Sequence, residues 1–150
     1  MRRGFTLFEL MIAVAIVAII AGVAFMVINP AQQLAQSRNS ERLLNLQTIM
    51  NAVRQNIADQ GNESFACASG PLPTSTARMT SVAGAGNYNI APCLVPAYLY
   101  TLPFDPSASS SHYDSNTDYD LGYNIAIASS GQVTVSAPYA ELGKAVSVTR

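Results

Sequence analysis

The chain has 150 residues, the length of one domain of ordinary size. Nearly half of its residues are hydrophobic, 11% are charged, and the formal net charge is −1. The positive residues beyond the N-terminus are scattered along the chain, so the sequence predicts no basic face for nucleic-acid binding.

The N-terminal segment combines two arginines, one acidic residue and a long apolar run. Arg2 and Arg3 come first, and residues 10–28 contain no charged or hydrogen-bonding side chain. As a helix, this run reaches across most of a hydrocarbon core of about 30 Å, and the arginines favour a cytoplasmic N-terminus. A secretory signal usually has a shorter apolar core. A plain membrane anchor leaves Glu9, at the front edge of the run, without an explanation.

The residues Gly4-Phe5-Thr6-Leu7-Phe8-Glu9-Leu10-Met11 resemble the processing motif of type IV pilins and type II secretion pseudopilins. The resemblance implies that a prepilin peptidase cleaves between Gly4 and Phe5 and methylates the new N-terminus at Phe5. It implies that Glu9 acts as a carboxylate within an assembled filament. It also implies a set of partners: further copies of the chain, minor pilins or pseudopilins, an inner-membrane assembly platform and its cytoplasmic ATPase.

We therefore expect a structural subunit without enzymatic activity. It would begin as a single-pass protein of the inner (cytoplasmic) membrane, with its C-terminal domain outside the cytoplasm, and later enter a cell-surface or periplasmic filament. A type IV pilus subunit and a type II secretion pseudopilin both stay open, and a membrane-anchored extracellular enzyme or binding domain is the alternative class. His112 is the single histidine, and no sequence pattern marks a catalytic residue.

The chain is predicted to divide into four segments. Residues 1–4 form the leader, 5–29 the membrane-spanning and filament-core helix, 30–61 an amphipathic helix, and 62–150 a globular domain of loops and β-sheet. Pro30 predicts a kink or short break near residues 27–29 because proline removes a backbone donor and crowds the preceding turn.

The amphipathic helix is predicted from apolar residues that recur at intervals of three and four. Arg42, Arg54 and Asn56 are expected outside this apolar face, with both arginines in solvent. The face consists of Leu43, Leu46, Met50, Val53 and Ile57.

The region after the amphipathic helix predicts a small sheet. Residues 61–89 have the composition of a loop. Alternating apolar residues then predict strands over residues 119–127, 133–137 and 146–148, with a turn at 129–131. Three consecutive strands favour an antiparallel meander covered by the amphipathic helix. The predicted fold class is α+β, a long N-terminal helix packed against a small C-terminal antiparallel sheet, which the family resemblance also implies.

Cys67 and Cys93 are the two cysteines of the chain. Both fall in the region expected outside the cytoplasm, where conditions are oxidising in most cells, and this favours a disulfide. Two free buried thiols or a redox pair are the alternatives, although no C-x-x-C spacing supports redox chemistry or a zinc site.

A series of oxygen-bearing side chains suggests a calcium site, since calcium prefers carboxylate and amide oxygens. The alternative is a solvated turn whose aspartates keep the edge of a strand soluble. No cofactor other than calcium is predicted. The candidate ligands are Asp105, Asp114, Asn116, Asp118 and Asp120.

Overall fold

The structure is a computed structural model that describes residues 4–27, 29–61 and 64–150. Arg2 and Arg3 of the predicted leader lie outside the described residues, as do the first two residues of the predicted globular domain. The chain groups into two compact units, one ending at Leu34 and the other running from Ala35 to Arg150. The predicted third and fourth segments therefore share one unit from Ala35 onwards.

The described part of the first 60 residues contains two long helices: α1 spans Leu7–Val27 and α2 spans Pro30–Gln60. The predicted break lies between them. Pro30 is the first residue of α2, a position where its missing N–H has no helical partner to lose. Asn29 caps the helix, because its Oδ1 accepts a hydrogen bond from the Gln32 N–H at 3.3 Å. The proline thus starts a new helix and does not kink a continuous one.

The buried face of α2 is wider and more polar than the sequence predicts. Leu46, Met50 and Val53 are fully buried, whereas Leu43 is 40% exposed. The prediction that Arg42 and Asn56 lie away from the buried face is wrong, since they are 0% and 3% exposed. Both polar side chains are buried because loops of the same unit supply hydrogen-bond partners, which a helical periodicity does not reveal.

A six-stranded sheet follows α2, with a short helix α3 at Ala91–Leu94. The strand order is β2-β1-β4-β5-β6, and β3 pairs with β4. The pairing of β1 with β2 is parallel, and the other pairings are antiparallel. The strands are β1 (Ala77–Thr80), β2 (Asn87–Tyr88), β3 (His112–Ser115), β4 (Asp118–Ile127), β5 (Val133–Ala137) and β6 (Val146–Thr149).

The predicted α+β class is confirmed, and the three predicted strands correspond to β4, β5 and β6. The prediction that residues 61–89 are entirely loop is wrong, because β1 and β2 lie there. These strands have four and two residues, too few for an alternating pattern to stand out.

The hydrophobic core of this unit lies between α2 and the sheet. Its helix side includes Ile49 and Val53, and its sheet side includes Leu121, Ile125 and Val135, all fully buried. Burial of this apolar surface is the main force that holds α2 on the sheet.

Candidate functional site

The N-terminal end of α1 forms a reciprocal hydrogen-bonded cap. The Thr6 Oγ1 accepts a hydrogen bond from the Glu9 N–H at 3.3 Å, and the Glu9 Oε2 accepts from the Thr6 N–H at 3.3 Å and the Thr6 hydroxyl at 3.1 Å. This is a capping box, which satisfies N–H groups that a helix start leaves free. The predicted processing residues Gly4 and Phe5 lie just before it and are exposed, Phe5 by 84%.

Sequence analysis missed Thr6 as a partner of Glu9, although Thr-x-x-Glu before an apolar run is a recognisable signature. The cap uses only one oxygen of the carboxylate, Oε2. Among the described residues, the other oxygen accepts no hydrogen bond. Glu9 also stands in the first turn of the helix, where the helix dipole favours negative charge.

The surface of α1 is apolar and exposed. Leu7–Ala24 is long and apolar enough to span a membrane by length and composition, and none of it is buried. Large side chains such as Phe8, Ile19 and Ile20 are more than 60% exposed. A contiguous apolar surface of this kind marks a site of contact with lipid or protein.

The unit from Ala35 onwards contains a buried cluster of charged side chains around Arg42. Its Nε and Nη2 donate to the two oxygens of Asp105 at 2.8 and 3.1 Å, and both side chains are 0% exposed. Its Nη1 donates to Asn39 at 2.7 Å and to Glu141 at 3.0 Å, and its Nη2 also donates to Ser107. One guanidinium therefore joins α2 to the loops around residues 105 and 141.

The two carboxylates of this cluster are held in their charged forms. Burial alone would raise the pKa of Asp105, but hydrogen bonds from Arg42 and from the Ser107 and Ala108 N–H groups outweigh it and lower that pKa. Hydrogen bonds from Arg38 and then Arg42 lower the pKa of Glu141 to about 2. The cluster therefore holds its charges over the whole neutral pH range.

Gly122 makes room for this arrangement. It lies within β4 with a φ of +71°, and a Cβ there would collide with the Ser111 hydroxyl and approach the Asp105 Cβ to 3.0 Å. Glycine is required at this position because the backbone of β4 lies directly against the Asp105 loop.

A second arginine, Arg78 of β1, forms an ion pair with Asp120, another predicted calcium ligand. Its Nε donates to Asp120 Oδ1 at 2.7 Å, and its Nη1 and Nη2 donate to Tyr139 and Ser110 at 2.9 and 3.0 Å. The guanidinium also lies 5.6 Å from the centre of the Tyr139 ring.

Three of the five predicted calcium ligands have ion-pair or hydrogen-bond partners within the protein. Asp105 and Asp120 are ion-paired with arginines, and the Asn116 Oδ1 accepts a hydrogen bond from the Tyr113 hydroxyl. Asp114 and Asp118 lie near His112, with one ligand atom of each within 4.8 Å of the others. Calcium binding by the five predicted ligands stays a prediction.

His112 has oxygen acceptors at both ring nitrogens. Its Nδ1 lies 2.8 Å from the Ser110 carbonyl oxygen, and its Nε2 lies 3.2 Å from Asp118 Oδ1. Both oxygens accept hydrogen bonds, so the doubly protonated ring satisfies both contacts. These contacts, the backbone one first, raise the pKa of His112.

Cys67 and Cys93 are joined in a disulfide, with their Cα atoms 5.0 Å apart. The side chain of Asn56 in α2 forms hydrogen bonds with the backbone of Ala66, the residue before Cys67, and with the backbone of Cys93. The burial of Asn56 is not predicted from the sequence, since a polar residue on an amphipathic helix gives no signal of its burial.

Comparison with protein families adds one finding at the N-terminus. Residues 1–25 match the family model described as the prokaryotic N-terminal methylation motif. Comparisons with curated proteins and with solved structures each give no match. The matched segment contains Gly4, Phe5 and Glu9, and the described part of α1 begins inside it. The chain therefore carries the N-terminal signature of type IV pilins and pseudopilins, on an α+β, pilin-like fold.

Proposed function

We propose that this chain is a structural subunit of a type IV pilus-like filament. The chain is inserted in the membrane through α1, cleaved after Gly4, methylated at Phe5 and polymerised through the same helix. The observation that carries the proposal is the exposed apolar surface of α1, which begins at a capped carboxylate.

The exposed surface of α1 needs a different environment at each stage. In the uncleaved chain, lipid covers it, since the helix is long enough to span a hydrocarbon core. In a filament, the same helix from other copies covers it. Side chains such as Leu10, Val14 and Val17 are 60%, 61% and 65% exposed, so each has apolar surface left to bury.

Cleavage changes the charge beside Glu9. Removing residues 1–4 takes away two arginines, which moves the formal net charge from −1 to −3 before the new terminal amine is counted. The amine of Phe5 then becomes a cation at the start of an apolar helix. A carboxylate in an apolar environment is tolerated when it meets a positive partner.

Glu9 is the carboxylate that pairs with the Phe5 amine of an incoming copy. If adjacent copies are staggered by about one helical turn, near 5 Å, the Phe5 amine of one copy faces Glu9 of the other. The capping box leaves one carboxylate oxygen free of hydrogen bonds from the described residues, so an added cation need not displace Thr6. Such a pair fixes the register between copies, a use of buried polar contacts with good support in other proteins.

The test separates processing from assembly. In cells that express Glu9→Ala, we expect the N-terminus still to begin at Phe5, while the filament yield falls by more than about tenfold, because the Phe5 amine is left buried without a partner. Thr6→Ala is the matched control, since it removes the cap and keeps the carboxylate. Normal filaments from Glu9→Ala would exclude the register role.

The location of the filament distinguishes a pilus from a pseudopilus of a secretion system. Electron microscopy of intact cells detects a long surface fibre in the first case. In the second, deletion of the chain stops protein export and removes no surface fibre.

A further inference from the structure

Asn56 connects α2 to both sides of the disulfide. Its Nδ2 donates to the Ala66 carbonyl at 3.1 Å and to the Cys93 carbonyl at 3.3 Å, and its Oδ1 accepts from the Ala66 N–H at 2.9 Å. The residue is 3% exposed. One amide side chain thus holds the residue before Cys67 and the backbone of Cys93 at the same time.

The segment that carries Cys93 has a second anchor, on the sheet. The hydroxyl of Tyr119 in β4 accepts hydrogen bonds from the Ile90 N–H at 2.9 Å and the Ala91 N–H at 3.1 Å, and it donates to Asn89 at 2.8 Å. Tyr119 is 1% exposed. This anchor fixes the start of α3, so the position of Cys93 is set independently of its sulfur.

No sulfur atom takes part in these bonds, so a chain with reduced cysteines can form all of them. We propose that Asn56 is a positioning residue that holds the Cys67 and Cys93 segments together before the disulfide closes. Closure of the disulfide is thereby coupled to the docking of the Cys67 segment on α2.

The coupling can be measured as a change in the equilibrium constant for disulfide formation. The two thiols lose two electrons and two protons when the sulfur–sulfur bond forms, and glutathione disulfide can accept them, giving two glutathione thiols. The equilibrium constant of this exchange is proportional to the fraction of reduced chains in which the two segments are already docked. A residue that raises this fraction raises the constant, whereas a residue that stabilises the oxidised and reduced chains equally leaves it unchanged.

The first experiment measures this constant for the full-length chain in detergent micelles. The chain is equilibrated in glutathione buffers of graded composition, and its free thiols are alkylated and counted by mass spectrometry. For Asn56→Ala we expect the constant to fall by about tenfold, equivalent to about 1.4 kcal/mol. Asn51→Ala is the matched control on the same helix, since Asn51 is exposed and the one hydrogen bond of its side chain among the described residues is from Arg150. A constant within about twofold of the unmodified chain for both variants would overturn the proposal.

A second experiment does not depend on the stability of the Asn56 variant. In the full-length chain with Cys67→Ala and Cys93→Ala, the amide of Ala66 still has Asn56 as its acceptor. We expect this amide to be protected from hydrogen exchange in the cysteine-free chain. Exchange at the rate of an unstructured peptide would show that the disulfide, and not Asn56, holds the segment, and would overturn the proposal.

Discussion

The two units of this chain differ in whether their apolar side chains are exposed or buried and in how their charged groups are paired. In the unit that ends at Leu34, large apolar side chains of α1 are exposed, and the carboxylate of Glu9 is held by a local cap. In the unit from Ala35 onwards, the buried apolar side chains form one core, and Arg42 forms an ion pair with Asp105 in which both side chains are 0% exposed. The buried charges of the second unit are paired within that unit, whereas large apolar side chains of α1 are exposed.

This difference shows where mutations should act. Substitutions in the Arg42 cluster should lower the free energy of unfolding of the unit from Ala35. Substitutions near Glu9 should instead change assembly and leave that free energy nearly unaltered. The predictions below test this division, beginning with the largest expected effect.

Arg42→Ala should lower the free energy of unfolding by about 3–5 kcal/mol, because it leaves the Asp105 carboxylate buried without its partner. Denaturant titration of the full-length chain in micelles measures the change. Arg54→Ala is the matched control on the exposed side of α2, with an expected change within about 0.5 kcal/mol. Equal effects of the two substitutions would contradict the buried ion pair. Adding Asp105→Asn to Arg42→Ala should recover part of the loss, because the unpaired charge is then removed.

Reduction of the disulfide between Cys67 and Cys93 should lower the free energy of unfolding by about 3 kcal/mol. This is the stabilisation expected when a cross-link restricts the entropy of the unfolded chain at a sequence separation of 26 residues. Denaturant titration with and without a reductant measures it. The variant with both cysteines replaced by serine should not respond to the reductant. Equal thiol labelling before and after reduction would show that the bond does not form in the protein.

Glu141→Gln should lower the melting temperature at pH 7 and have less effect as the pH falls. The folded chain lowers the pKa of Glu141 from its ordinary value of 4.5 to about 2. Its contribution is therefore complete above about pH 4.5 and is lost as the pH falls through about 2. Glu41→Gln is the control, since Glu41 is an exposed glutamate on α2. A difference from the unmodified chain that persists unchanged at pH 2 would contradict the charge pairing with Arg38 and Arg42.

Thr6→Ala should have the smallest effect, about 1 kcal/mol of local stability at the start of α1, the usual contribution of a helix cap. Hydrogen exchange of the Glu9 amide, which donates to Thr6, should become about fivefold faster. Thr48→Ala, within α2, should leave that amide unchanged. Because Thr6→Ala keeps the carboxylate, it should reduce filament yield far less than Glu9→Ala does. An equal loss of filaments from the two variants would show that assembly depends on the helix cap and not on the carboxylate alone.

Sequence patterns predicted the parts of the fold that repeat along the chain. The uninterrupted apolar run predicted α1, and alternation over residues 119–127 predicted β4. The pattern Leu46, Met50 and Val53 predicted the face of α2 that meets the core. Each of these signals depends on many residues that face one environment, so single exceptions do not obscure it.

The polar interior of the second unit could not be predicted in the same way. Arg42 and Asn56 are buried because residues of other segments, among them Asp105 and Ala66, form hydrogen bonds with them. The periodicity of the sequence does not indicate such a pairing, and a helical pattern predicts that both residues face solvent. The ion pairs of Asp105 with Arg42 and of Asp120 with Arg78 likewise depend on tertiary contacts, which no spacing in the sequence predicts.

The most direct test of the proposed function is the N-terminus of the mature chain in purified filaments, read by mass spectrometry. We expect a chain that begins at Phe5, carries one added methyl group and is recovered in the polymer. A chain that still begins at Met1 and stays monomeric in the membrane would contradict it.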